Sequence, residues 1–69
     1  METYSLDKKN HIGLSKLLRK LEISLSKSDA VILIIGKHVF VNGITEIREH
    51  AKISFGDIVE VKGHKIMIE

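Results

Sequence analysis

The sequence predicts an α+β fold, two short helices packed against a small, mostly antiparallel sheet, and three observations carry that prediction. Leu14, Leu17, Leu18 and Leu21 recur at helical spacing. Ser26 and Asp29 form a helix-start signal just ahead of the apolar run Ala30–Ile35. From His38 onward the apolar period shortens to two, with Asn42-Gly43 as a hairpin turn.

Taken in order, Thr3-Tyr4-Ser5-Leu6 reads as a strand, best placed beside the last one so that the edge there is covered. The four leucines lie at i, i+3, i+4 and i+7, the stripe of an amphipathic helix. Lys16, Arg19 and Lys20 share the same spacing and point away from the leucines, which gives one short helix a dry face and a basic face. Glu22–Ser28 has no stripe and contains three serines, so it reads as a turn.

Ser26 then offers a side-chain oxygen to a free backbone amide, and Asp29 places a carboxylate in the first turn of a second helix. The run Ala30-Val-Ile-Leu-Ile-Ile35, rich in β-branched residues and ended by Gly36, fits a buried strand as well. The cap favours helix; the composition favours strand. Beyond it, Val39 and Val41 alternate with His38, Phe40 and Asn42, and Thr45, Ile47 and Glu49 continue a return strand. Ser54–Asp57 is a turn, Ile58–Val61 a strand, Lys62-Gly63-His64 a second turn, and Ile66–Ile68 the last strand.

With 69 residues there is room for one domain and one core. No cysteine is present, so a disulfide scaffold is excluded. The start, Met1 to Asp7, lacks a basic stretch followed by an apolar one, so no secretory signal is expected. The longest apolar run is too short to span a bilayer, and the cytoplasm is the expected location.

Charge is unevenly spread. From Lys8 to His38 seven Lys and Arg stand against two acids, whereas Val39–Glu69 holds four against five. That asymmetry fits a polyanionic partner and, equally, an ordinary soluble surface.

The ordered set Leu14-Ser-Lys-Leu-Leu18, Ser26-Lys-Ser-Asp-Ala30, His38-Val-Phe-Val-Asn-Gly43 and Gly56-Asp57-Ile-Val-Glu-Val61 resembles the alpha-L RNA-binding domain first named for a ribosomal small-subunit protein. Thr3–Leu6, Thr45-Glu46 with Lys52-Ile53, and Gly63-His64 are similar to its stand-alone bacterial, YbcJ-like members. The likeness covers nearly the whole chain. It implies a helix-turn-helix pair followed by a β hairpin, resolves Ala30–Ile35 as helix, and implies RNA bound across the helices and the adjoining strand. Under it Lys16 matches the basic residue of the first helix, Ser26-Lys27-Ser28 the phosphate-meeting start of the second, and Lys37-His38 the start of the hairpin. Three departures stand out: Val31 replaces a common Arg or Lys, the glycine expected at Lys37 stands at Gly36, and Ile47–Ala51 is less basic, with Glu49 placed to repel phosphate.

The expected partner is therefore structured RNA, ribosomal or transfer, held by Lys16, Arg19, Lys20, Ser26, Lys27, Lys37 and His38, with Arg48 and Lys52 as further candidates. Arg48 and Lys52 are more readily read as partners of Glu46 and Glu49, and Ser26 as mainly a cap. Of three aromatics, Tyr4 and Phe55 read as core, and Phe40 as the one able to stack on a base. The four histidines show no ligand spacing and no nucleophile motif is present, so the reading is a monomeric, non-enzymatic protein without metal, cofactor, small-molecule substrate or membrane partner. The rival reading is a protein-interaction or ribosome-associated module with the fold but little RNA affinity.

Overall fold

A computed structural model describes all residues from Met1 to Glu69. The chain runs β1 (Glu2–Tyr4), β2 (His11–Gly13), α1 (Leu14–Lys20), α2 (Lys27–Ile35), β3 (Val39–Val41), β4 (Ile44–Thr45), β5 (Lys52–Ser54), β6 (Ile58–Val61) and β7 (His64–Ile68). Five strands form one sheet in the order β1-β7-β6-β3-β4, antiparallel except where β1 runs parallel to β7. The expected placement of the first strand beside the last is observed. A separate ribbon pairs β2 with β5, aligning Ile12 with Ile53 and Gly13 with Lys52.

The leucine stripe behaves as its spacing requires. Leu14, Leu17 and Leu18 are fully buried, with Leu21 packed at the margin of the same cluster. They meet Ala30 and Ile34 of α2, the inward-facing Val39, Val59, Val61, Ile66 and Ile68 of the large sheet, and Ile12 and Ile53 of the ribbon. Burial of this apolar surface is the main favourable term in a chain with no covalent staple. Ala30–Ile35 is helical, and the cap is the reason the sequence gives: the Asp29 amide donates to Ser26 Oγ at 3.2 Å.

Both helices end in the same way. After α1, Ile23 N–H reaches the Leu18 carbonyl and Glu22 N–H the Arg19 carbonyl; after α2, His38 N–H reaches Leu33 and Lys37 N–H reaches Ile34. These are Schellman closures, which require one residue in the left-handed region, commonly glycine. Here Glu22 (φ 59) and Lys37 (φ 67) take that conformation. Gly36, one residue early, has φ −76 and is needed for space instead. A Cβ there would lie 2.7 Å from the Ile32 carbonyl oxygen and 2.9 Å from His38 Cδ2.

Asn42 (φ 54) and Gly43 (φ 81) form the tight β3–β4 turn, and Lys62 (φ 51) with Gly63 (φ 78) the β6–β7 turn, both with two left-handed residues in succession. Asn42 does more than turn. Its Nδ2 donates to Asp57 Oδ1 at 3.0 Å while its Oδ1 accepts from the Ile58 amide at 2.9 Å, and Asp57 Oδ2 accepts from the Ser54 amide at 2.7 Å. The V-N-G and G-D elements are thus halves of one clamp joining two turns fifteen residues apart.

Two expectations fail. The return strand does not extend through Ile47 and Glu49; β4 ends at Thr45, because the Glu46 carboxylate accepts from the Arg48 amide at 3.1 Å and from its guanidinium at 3.0 and 3.1 Å, folding the chain back on itself. Ile47 is left 55% exposed. Phe55 is not core: it occupies the turn before Gly56 and is 78% exposed. Tyr4 does pack against the core cluster.

Candidate nucleic-acid interface

The candidate residues fall into two groups set by α2. In the first, α1 carries Lys16, Arg19 and Lys20 on its exposed side, opposite the buried leucines. The segment containing Arg48 and Lys52 lies across the start of this helix: Ser15 N–H donates to the Glu49 carbonyl, Leu14 N–H to the Ala51 carbonyl, and Lys52 stands in register with Gly13. At the other end, the loop after Lys20 leads into Ser26 and Lys27, both exposed, at the start of α2. The second group, Lys37, His38 and Phe40, lies beyond the opposite end of α2, about 13 Å away along a nine-residue helix. All three are exposed.

Charge pairing separates these side chains sharply. The ion-pair contacts are Glu46–Arg48 at 3.0 Å, Glu49–His50 at 3.8 Å and Glu2–His64 at 2.6 Å. Lys16, Arg19, Lys20, Lys27, Lys37 and Lys52 take part in none of them. Arg48 is held by Glu46, as the sequence suggested, whereas Lys52 is not held by Glu49. The hydrogen bonds from Arg48 keep the Glu46 carboxyl below its ordinary range, and the same bonds raise the Arg48 guanidinium. Ser26 Oγ is engaged by the Asp29 amide, so its first duty is structural. Glu49 is half-buried, and one of its carboxylate oxygens has no hydrogen-bond partner.

Two shallow grooves flank the β6–β7 turn. One, about 520 Å³, is lined by the α1–α2 loop and α2, with Leu25 and Ile32 among its walls. The other, about 380 Å³, is lined by His38, Phe40, Glu60, Lys62, His64 and Lys65 among others. Lys62 borders both. Lys62 and Lys65 are masked in the sequence because the acids of Val39–Glu69 cancel them in any regional sum of charge. Period-two alternation marks Glu60 and Lys65 as outward positions between buried Val59, Val61 and Ile66, whereas His64 shares the phase of Ile66 and Ile68 and enters the groove only through the turn. Val31 is half-buried. No helix is long and apolar enough to cross a membrane.

The helix pair leading into a paired hairpin, with the N-G and G-D turns clamped together, is the architecture to which the S4 domain family corresponds in this chain. That family matches residues 4–69, and the chain belongs to it. Over 68 residues it is 37% identical to YbcJ of Escherichia coli (strain K12), covering 99% of this chain and 97% of that one, and the YbcJ of Shigella flexneri matches to the same extent. The solution structure of E. coli YbcJ, described as revealing an αL motif involved in RNA binding, superposes with a TM-score of 0.75 over 99% of this chain and 86% of its own. The 30S ribosomal protein S4e of Thermoplasma acidophilum shares the fold, with a TM-score of 0.69 at 24% identity over 84% of this chain and 31% of its own. The alpha-L resemblance read from the sequence is therefore correct.

Proposed function

We propose that this protein binds structured RNA, ribosomal or transfer, by gathering backbone phosphates on a basic helical surface, and that it does so as a monomer in the cytoplasm without catalysis or cofactor. The observation that carries the reading is that Lys16, Arg19, Lys20, Lys27 and Lys37 are all exposed and none is paired with a carboxylate. Unpaired cations on a rigid helix pair release counterions from RNA without first breaking internal salt bridges. The four cations of α1 and the start of α2 give about four phosphate contacts and a log K against log salt slope of roughly −3 to −4, with Lys37 a separate contact beyond the far end of α2. The start of α2 adds backbone amides suited to an anion, with Ser26 as cap and secondary contact. Membership of a family whose relative YbcJ has a described RNA-binding motif supports the same reading.

The test is a filter-binding titration with structured RNA at two salt concentrations, on the native chain and on Lys16→Glu/Lys20→Glu/Lys27→Glu. Native binding that weakens with salt, and loss of retention in the variant with an unchanged melting curve, is the expected result. A variant that binds like the native chain removes the helical surface from consideration. A second reading, a protein-interaction or ribosome-associated module, draws on Leu25 and Ile32, which are 87% and 63% exposed at the groove beside the α1–α2 loop. Absence of RNA binding at low salt is the outcome that favours it.

A further inference from the structure

The outer face of the five-stranded sheet holds a feature that phosphate gathering by the helices does not use. Strand register places Phe40 beside Glu60 and Glu60 beside Lys65, so β3, β6 and β7 contribute one side chain each to a single row. Their strand neighbours Val39, Val59, Val61 and Ile66 are buried, which fixes this row on the side away from the core. His38 lies two residues before Phe40, and Lys62 lies at the turn two residues after Glu60. Together they border the shallow groove of about 380 Å³.

Three chemical properties coincide there. Phe40 is 39% exposed at the groove, so part of its ring is open to a planar partner. Lys62 and Lys65 make no ion pair, and Glu60, which stands between Phe40 and Lys65 across the sheet, makes neither an ion pair nor a side-chain hydrogen bond. His64 is occupied on its far side, with Nδ1 at 2.6 Å from Glu2 Oε2. An open aromatic, two free ammonium groups and one free carboxylate are the parts that recognise a single unstacked nucleotide: the ring stacks on the base, the lysines meet its phosphate, and the carboxylate accepts from the base edge. A carboxylate has no donor, so it selects bases that present N–H groups. Guanine offers two parallel donors, N1–H and N2–H₂, and fits a carboxylate in a bidentate manner. Uracil presents two carbonyl acceptors and a single N–H.

We infer that the groove bordered by Phe40, Glu60, Lys62 and Lys65 is a subsite for one extruded nucleotide of a bound RNA, with guanosine preferred over uridine. This deepens the RNA reading and rests on it, but through residues separate from the helical surface. Backbone contacts on α1 and α2 would position the RNA, and the sheet groove would read one base.

The test is a ¹⁵N–¹H NMR titration of the full chain with guanosine 5′-monophosphate and, separately, with uridine 5′-monophosphate. Shifts confined to residues 38–40 and 60–65 that saturate at lower guanosine than uridine monophosphate support the subsite. Phe40→Ala should weaken guanosine monophosphate by roughly 5- to 100-fold, the loss of one stacked base. Glu60→Gln should leave uridine monophosphate unchanged and remove the guanosine preference. Equal response to the two nucleotides, or shifts confined to α1 and α2, overturns the proposal. A silent groove together with salt-dependent binding of structured RNA ends the subsite and leaves the wider reading standing; a responsive groove in a chain that retains no structured RNA ends the wider reading and, with it, the assignment of the groove to a bound RNA.

Discussion

Exchanging the roles of Gly36 and Lys37 is the most demanding check on how the second helix ends. Lys37 holds φ 67, a conformation that costs a side-chain-bearing residue about 1–2 kcal/mol relative to its preferred basin. Lys37→Gly removes that cost, while the greater freedom of glycine in the unfolded chain takes back about 0.4–1 kcal/mol. The net gain is about 0.5–1 kcal/mol, because the Lys37 and His38 amides keep their bonds to the Ile34 and Leu33 carbonyls. For a chain of this size 1 kcal/mol moves the melting temperature by about 4–8 °C, so Lys37→Gly should melt about 2–8 °C higher. Gly36→Ala should do the opposite. Its Cβ would meet the Ile32 carbonyl oxygen at 2.7 Å, a backbone atom that cannot swing aside, as well as His38 Cδ2 at 2.9 Å. Relief requires opening the last turn of α2, and a loss of about 1–3 kcal/mol follows. Thermal melts followed by far-UV circular dichroism, with urea titrations to confirm the sign, decide the matter. A Lys37→Gly chain that melts lower, or a Gly36→Ala chain that melts unchanged, refutes the assignment of one glycine to space and one lysine to the left-handed position.

Two further outcomes follow from side-chain geometry. Asn42→Ala removes the hydrogen bonds to Asp57 and to the Ile58 amide and puts alanine at φ 54, so it should cost about 2–4 kcal/mol and bring urea unfolding to markedly lower concentration. Glu46→Gln tests the local fold-back. Because the bonds from Arg48 lower the folded-state pKa of Glu46, its contribution is present above the unfolded carboxylate value and is lost as pH falls through the folded value. The stability gap between native and Glu46→Gln chains, measured by urea titration, should therefore be open at neutral pH and close in acid.

The parts of the fold that could be read in advance are those whose signal is local. Leucine spacing fixed α1, the Ser26 hydroxyl decided a helix against the strand-like composition of Ala30–Ile35, and Asn42-Gly43 set a hairpin turn. What escaped depends on partners distant in sequence. β2 and β5 have three residues each and one buried side chain apiece, Ile12 and Ile53, too few to display alternation, and they pair across some forty residues. Phe55 escapes because aromatic character alone does not imply burial: it stands in a turn and is left exposed. At the candidate interface, the α1 cations were evident from helical phase. Lys62 and Lys65 were hidden because nearby acids cancel them in any regional sum; only the pleat shows which of those charges share a face.

The parallel partnership of β1 and β7 carries a consequence for how this molecule comes into being. Leu6 N–H reaches the Glu69 carbonyl and Glu69 N–H reaches the Tyr4 carbonyl, so the first strand of the sheet in chain order has the last as its sole neighbour. A ribosome that has released only the segment up to Val61 would present a helix pair and a hairpin with Ile66 and Ile68 missing from the core and β1 without anything to hold it. Native closure must wait for the final residues, and the long loop this joins makes it a late event during folding.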